Sequence, residues 1–125
     1  MSTNLVVKWD AEGIHYWPNA PEEFSVYGQP HEHIFHFEVY LPVNVKSTED
    51  RPLELLEVRR SLIGKMEDIY GKPFDFGPRS CEGIAIELYR LVAVTYGIKA
   101  KTIVMEDNFV GAEYCTELEH ELIPS

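Results

Sequence analysis

The chain has 125 residues, of which 45% are hydrophobic and 26% charged, and its formal net charge is −10. This composition is typical of a globular protein, and we expect a single domain over residues 1–125 with its core at about 5–118. An acidic surface repels phosphate backbones and anionic lipids, so binding to nucleic acid or to a membrane surface is disfavoured.

The cysteine content and the N-terminus both favour the cytoplasm. Cys81 and Cys115 are too few for a disulfide framework, and we expect two free thiols in a reducing compartment. The start "MSTNLVVKWDAEG" lacks the pattern of a signal peptide. No apolar run approaches the roughly 20 residues of a membrane span.

The first part of the chain predicts strands. The runs "LVVKW" and "IHYW", separated by the turn residues "DAEG", predict an opening strand or hairpin. A proline-rich loop follows, and "HEHIFHFEVYLPVNV" then predicts the main strand. Its period of two puts one set of side chains on the same face: His31, His33, Phe35, Phe37, Val39 and Leu41.

The second part predicts two helices and a hairpin. "LELLEVRRSLIGKMEDIYG" has helical spacing and ends at Gly71, and a second helix begins at the N-cap Ser80 and ends at Gly97. "IKAKTIVMED" and "AEYCTEL" are strands joined by "NFVG", and "EHELIPS" is an exposed tail. The order β-β-α-α-β-β favours an α+β fold with two helices on one face of a four-stranded antiparallel sheet.

Three histidines predict a zinc site. His31 and His33 share a strand face, and His15 lies on an earlier strand that could pair beside them. Three imidazoles would leave a fourth zinc position open, as in catalytic sites, where the ion polarises a substrate oxygen. The alternative is that these histidines fill the core. His36 has the wrong parity to join them, and His120 is expected to be solvated.

The segment "HEHIFHFE", which ends in Glu38, also fits the first metal motif of a cupin. The flanking glycines and the second cupin motif are absent, however. Two helices follow the strand, which an all-β barrel would not have. A cupin-like metal protein is therefore the weaker alternative.

The histidines together with the element order resemble the 6-pyruvoyl- and 6-carboxytetrahydropterin synthase family. The resemblance implies the T-fold and a Zn²⁺ ion held by His15, His31 and His33. "GPRSCEGIAIEL" is similar to the start of the family's second helix and implies substrate-binding roles for Ser80 and Glu82. "TIVMEDNFVGAEY" is similar to its last strand pair. Here Glu106 falls at the carboxylate that anchors the guanidine-like edge of a pterin, through two parallel hydrogen bonds.

The chain departs from the family at the residues that transfer protons. Tyr27 stands where the family has its catalytic cysteine, and Asp68 falls in the segment where the family has an Asp-His pair. Glu23, in the loop before the main strand, could supply a carboxylate instead. The expected catalytic residues are therefore Glu23, Tyr27 and Asp68. Cys81, at a helix N-terminus, is a further thiol to consider.

Two functions follow from the resemblance. The first is a zinc-dependent enzyme of the lyase type that acts on a dihydropterin triphosphate or a related heterocycle. The second is a non-catalytic module that binds a pterin- or purine-like molecule. The resemblance also implies a homo-hexamer, a dimer of trimers, with pockets between subunits. Short divergent members of the family occur in bacteriophages, which would place this protein in the host cytoplasm.

Overall fold

A long antiparallel hairpin forms the centre of the computed structural model, which describes residues 2–116. Strand β1 (Ser2–His15) pairs with strand β2 (His31–Asn44) along its full length, with Ser2 opposite Asn44 and His15 opposite His31. The two opening runs of the sequence therefore form one strand and not a hairpin. "DAEG" remains extended because β2 pairs with each of its residues.

The sheet contains one more strand than the sequence predicts. Strands β3 (Phe74–Gly77), β4 (Lys101–Met105) and β5 (Gly111–Tyr114) join the hairpin in the order β3-β1-β2-β4-β5. Strand β3 pairs parallel with the end of β1, at Gly13 to His15, and the other pairings are antiparallel. Its four residues, "FDFG", are too few to show an alternating pattern, so the sequence does not predict this strand.

Both predicted helices are present, and the predicted N-cap Ser80 and the predicted ends at Gly71 and Gly97 are confirmed. Helix α1 (Leu55–Tyr70) begins at Glu54, whose carboxylate accepts hydrogen bonds from two backbone N–H groups of the first turn. Helix α2 (Cys81–Tyr96) begins at Ser80, whose hydroxyl accepts a hydrogen bond from the Gly83 N–H. Its end at Gly97 is left-handed, with a φ of 67°. Within residues 2–116, no helix has both the length and the apolar character needed to cross a membrane.

The core lies between the two helices and one face of the sheet. The predicted alternation of β2 is confirmed, since its odd-numbered residues from 35 to 41 are fully buried. Helix α1 contributes Val58, Leu62 and Met66, and helix α2 contributes Ile84, Leu88 and Val92. His31 and His33 continue the same face beyond the core, so the packing that buries β2 also determines which way these imidazoles point.

The loop between β1 and β2 contains a short 3-10 helix (Glu22–Gly28). It brings its aromatic residues close to the end of β1, where the Trp17 N–H donates to the Tyr27 carbonyl at 2.8 Å. The predicted C-terminal tail, including His120, lies outside the described residues.

Candidate metal centre and pocket

His15, His31 and His33 meet at one end of the long hairpin. His15 is directly opposite His31 in the register, and His33 is two residues further along the same face of β2. One ring nitrogen from each lies within 4.8 Å of the corresponding nitrogens of the other two. The structure thus brings together the three imidazoles that the sequence suggested as metal ligands.

Each imidazole is held in place through its Nδ1 atom. The Nδ1 of His15 is 3.0 Å from the Arg79 carbonyl oxygen, and that of His31 is 2.9 Å from the Gln29 carbonyl oxygen. A carbonyl oxygen only accepts hydrogen bonds, so in both rings Nδ1 carries the proton. The neutral ring then has its lone pair on Nε2, which is the arrangement that second-shell acceptors impose on zinc-binding histidines.

Asp107 plays the same part for His33. Its Oδ1 is 3.0 Å from His33 Nδ1, and its Oδ2 accepts from the Ile34 N–H at 3.2 Å. The hydrogen bond to His33 lowers the pKa of Asp107, so the group is a carboxylate at neutral pH. Asp107 reaches His33 because β4 pairs with β2 and carries the residues after Met105 alongside that imidazole.

The burial of His15 is a further indication that the cluster suits a metal ion. Burial lowers the pKa of His15, against the opposing effects of its hydrogen bond to Arg79 and the nearby Glu106. Its Nε2 is buried and has no hydrogen-bond partner. A buried ring nitrogen whose lone pair meets no donor is costly on its own, and a zinc ion would satisfy it.

Glu106 lies directly beside the cluster, at the end of β4. Its Oε1 is 3.2 Å from His15 Nε2, and its Oε2 is 3.5 Å from His33 Nε2. The Cys81 thiol contacts the same carboxylate, with 3.7 Å between Sγ and Oε1. The role of Glu106 as the anchor of a heterocycle stays a prediction. In this conformation both of its oxygens face the imidazoles.

The histidines form one side of a cavity of about 640 Å³. Aromatic residues line another side, and Trp17 and Phe24 stack with ring centroids 5.9 Å apart. The start of α2 and the β4–β5 hairpin complete the lining. Four of the predicted site residues are on the lining beside the histidines: Tyr27, Ser80, Glu82 and Glu106.

Two predicted catalytic residues lie elsewhere. Glu23 is exposed on the 3-10 helix, and Asp68 is exposed near the end of α1. Neither is among the residues that line the cavity. Helix α1 turns its Val58, Leu62 and Met66 face to the sheet, which directs Asp68 to the solvent. Within one chain, Glu23 and Asp68 therefore lie away from this cavity, and their catalytic role stays a prediction.

Cys81 reaches the pocket but is not an activated thiol. Its burial, together with the charges of Glu106 and Glu82, raises the pKa of Cys81 to about 12. These effects outweigh any lowering of the pKa by its position at the N-terminus of α2. The thiol is accordingly a neutral group that contacts Glu106.

Comparison with a solved structure identifies the fold. The structure of Caenorhabditis elegans 6-pyruvoyl tetrahydropterin synthase superimposes with a TM-score of 0.66, over 92% of this chain and 96% of that chain. This chain has the T-fold. Sequence identity in the alignment is 12%, and neither a protein-family model nor a curated protein matches the sequence. The T-fold, with helices covering one sheet face, also rules out the cupin alternative.

Proposed function

We propose that this protein is a zinc-dependent T-fold enzyme that acts on a planar pterin- or purine-like heterocycle, with altered proton-transfer groups. The observation that carries the proposal is the convergence of three imidazoles, each held through Nδ1, at the edge of an aromatic pocket. His15, His31 and His33 would hold the ion. When bound, zinc would polarise an oxygen of the substrate.

The pocket offers distinct groups to the ring and to the edge of a heterocycle. Trp17, Phe24 and Tyr27 present aromatic surface against which a planar molecule can stack. Ser80 and Glu82, at the start of α2, supply a hydroxyl and a carboxylate to polar edge atoms. The Ser80 oxygen accepts from the Gly83 N–H at 3.1 Å, and its own proton can be donated into the pocket.

The charge of the lining favours a substrate without a triphosphate. Arg79 is the one lysine or arginine among the described lining residues. Its Nε is 2.5 Å from a Glu87 oxygen, and its Nη1 donates to the Phe76 carbonyl. Glu82 and Glu106 add negative charge. Even with a zinc ion offsetting these two carboxylates, a triphosphate would find no unpaired lysine or arginine on the described lining, so a heterocycle without phosphates fits better.

A non-catalytic binding module is the second candidate. It is favoured by the positions of Glu23 and Asp68, which leave Tyr27 as the one predicted catalytic residue on the lining. The two candidates agree on zinc and on the ligand class. They differ on whether the bound ligand is converted.

The test is to measure binding and turnover together. Zinc-loaded protein is incubated with dihydroneopterin, dihydroneopterin triphosphate and guanosine, with calorimetry for affinity and mass spectrometry for products. We expect the phosphate-free pterin to bind at least about tenfold more tightly than its triphosphate, a difference of about 1.4 kcal/mol. A product supports the enzyme, and binding without a product supports the module.

A pair of histidine variants shows whether binding depends on the metal centre or on any surface histidine. His33→Ala should abolish stoichiometric zinc binding and weaken the ligand. His36→Ala should leave both unchanged, because His36 lies on the opposite sheet face and contacts Asp10. If none of the three compounds binds to zinc-loaded protein, both candidate functions fail.

A further inference from the structure

Glu106 is closer to the imidazole nitrogens than recognition of a heterocycle would require. Its two oxygens are 3.2 Å and 3.5 Å from the Nε2 atoms of His15 and His33, respectively. The carboxylate thus faces the same point as the two rings. A side chain reserved for the far edge of a substrate would instead present its oxygens to open pocket.

These contacts are not ordinary hydrogen bonds. The Nδ1 atom of His15 carries the ring proton because it faces a carbonyl oxygen, so the neutral ring has a lone pair on Nε2. The carboxylate oxygen 3.2 Å away also has only lone pairs. Consistent with this, the His15 Nε2 has no hydrogen-bond partner despite that short distance. Two acceptors at this separation repel each other unless a proton or a metal ion lies between them, and the contact lacks the geometry of a hydrogen bond.

The distances from the Glu106 oxygens to the two imidazole nitrogens are close to those between neighbouring ligands of one zinc ion. Zinc bonds to imidazole nitrogen and carboxylate oxygen are about 2.0–2.2 Å long, so neighbouring ligand atoms of a tetrahedral site lie about 3.3–3.5 Å apart. The two distances from Glu106 to the imidazole nitrogens, 3.2 Å and 3.5 Å, are close to this range.

Hydrogen bonds of the β4–β5 turn fix the main chain from which the Glu106 carboxylate extends. The Glu106 N–H donates to the Val110 carbonyl at 2.8 Å, and the Phe109 N–H donates to the Glu106 carbonyl at 3.1 Å. The next residue, Asp107, orients His33 from outside. Two consecutive carboxylates therefore lie at the metal centre. Asp107 contacts His33, and Glu106 faces the imidazole nitrogens directly.

We propose that Glu106 is a fourth, displaceable ligand of the zinc ion, so that the resting centre is closed by three histidines and one glutamate. This rests on the zinc site of the proposed function. It replaces the expectation of an open fourth position. A ligand that binds the metal must first displace the Glu106 carboxylate, and recognition of the heterocycle edge then falls to the groups at the start of α2.

The test compares Glu106→Gln with Glu82→Gln, which removes the same charge from the same pocket. Zinc affinity is measured by competition with a chromophoric chelator. We expect Glu106→Gln to lose at least about tenfold in affinity, the lower end of the cost of losing even an outer-shell partner. Glu82→Gln should stay within about threefold of the wild type, since it is not a ligand.

A second readout probes whether the fourth position is closed. In cobalt-substituted protein, azide that reaches the metal changes the visible spectrum. Glu106→Gln should respond at azide concentrations at least about tenfold lower than the wild type, because no carboxylate has to be displaced. Glu106→Asp keeps the charge but withdraws the oxygens, and should also respond more readily than the wild type. Circular dichroism of each metal-free variant establishes that it is folded.

The outcomes distinguish this inference from the proposed function. If the wild type binds one zinc ion and Glu106→Gln behaves like Glu82→Gln in both readouts, Glu106 is not a ligand and the three-histidine site remains. If the folded wild type binds neither zinc nor cobalt, the metal centre itself is wrong and the inference falls with it.

Discussion

At the scale of single residues, the hydrogen-bond acceptor at each Nδ1 determines whether the Nε2 atom of the same ring has a lone pair available for a metal ion. Two of the histidines donate to backbone carbonyls, which substitution cannot remove, while His33 donates to the side chain of Asp107. This makes Asp107 the position at which second-shell control of the cluster can be tested by mutation.

Asp107→Ala should weaken zinc binding by about 10- to 100-fold, the usual cost of removing an outer-shell partner of a metal-binding histidine. The His33 ring loses the acceptor that fixes its tautomer and orientation. Asp107→Asn keeps an acceptor oxygen and should lose less. Chelator competition measures all three proteins.

Asp10→Ala is the matched control for that experiment. It also removes a carboxylate from a histidine, His36, whose Nδ1 is 2.6 Å from Asp10 Oδ1 on the opposite sheet face. We expect unchanged zinc affinity. Equal effects of the two alanine variants would mean that Asp107 acts only through the net charge of the protein.

The two cysteines should differ strongly in reactivity. Because burial raises the pKa of Cys81 to about 12, very little of this thiol is ionised at pH 8, and the thiolate is the reactive form. Cys115 is more exposed. Iodoacetamide at pH 8 followed by peptide mass spectrometry should find Cys115 modified first. Preferential modification of Cys81 in folded protein would show that its thiol is activated after all.

Which residues of the site could be predicted depended on how far their positions follow from local pattern. His15, His31 and His33 were predictable because a period of two and one antiparallel pairing place them together. Asp107 and Arg79 were not, since their contacts depend on the register of β4 and on the path from β3 to α2. The role of Asp68 stays a prediction, because similarity along α1 does not determine which face of the helix is buried.

At the scale of elements, the long elements were predictable and the short ones were not. Strand β2 alternates over its length, and both helices have apolar residues at helical spacing with a recognisable cap at Ser80. Strand β3 has four residues and obtains its place from pairing with β1. The turn residues of "DAEG" indicated a break in β1, and pairing with β2 overrode that local preference.

The β4–β5 hairpin is the element that positions both carboxylates, and Gly111 is its tightest point. A Cβ added there would lie 2.6 Å from the Met105 Cα atom and would collide with the Val104 carbonyl. Gly111→Ala should therefore destabilise the protein by about 1–3 kcal/mol, as overpacking does, and weaken zinc binding as well. Urea unfolding and chelator competition measure the two effects.

Gly64→Ala is the control for the loss of a glycine. Gly64 is within α1, and a Cβ there meets nothing within 4 Å. Alanine should stabilise the helix by about 0.5–1 kcal/mol. If Gly111→Ala is as stable as the wild type, the hairpin adjusts freely, and its fixed position cannot be what holds Glu106 beside the histidines.

At the scale of the whole molecule, one long edge of strand β1 is available for pairing with a further strand. Among residues 2–116, β3 covers only the last three residues of β1, so the Ser2–Glu12 part of β1 has β2 as its one neighbouring strand. A long strand edge of this kind is a ready site for pairing with another chain. The homo-hexamer implied by the family resemblance would use such edges to close a barrel across subunits.

The pocket also has an apolar rim that a second subunit could cover. Phe109, in the β4–β5 turn, is 81% exposed, and Trp17 and Val110 beside the pocket are exposed too. Large apolar groups clustered at a site are unfavourable in water and are typical of interaction surfaces. We therefore expect a particle of about six times the 14.4 kDa chain mass in sedimentation at micromolar concentration.

The contribution of this rim can be tested without disturbing the fold of the chain. Phe109 has a φ of 65°, a conformation that asparagine adopts more readily than phenylalanine, so Phe109→Asn should leave the hairpin intact. Val94→Asn is the control, since Val94 is 86% exposed on α2 and is not among the residues that line the pocket. We expect Phe109→Asn to dissociate at a protein concentration at least about tenfold higher than the wild type, and Val94→Asn to be unchanged. A wild-type species of 14.4 kDa at micromolar concentration would contradict the hexamer, and the pocket would then have to function within one chain.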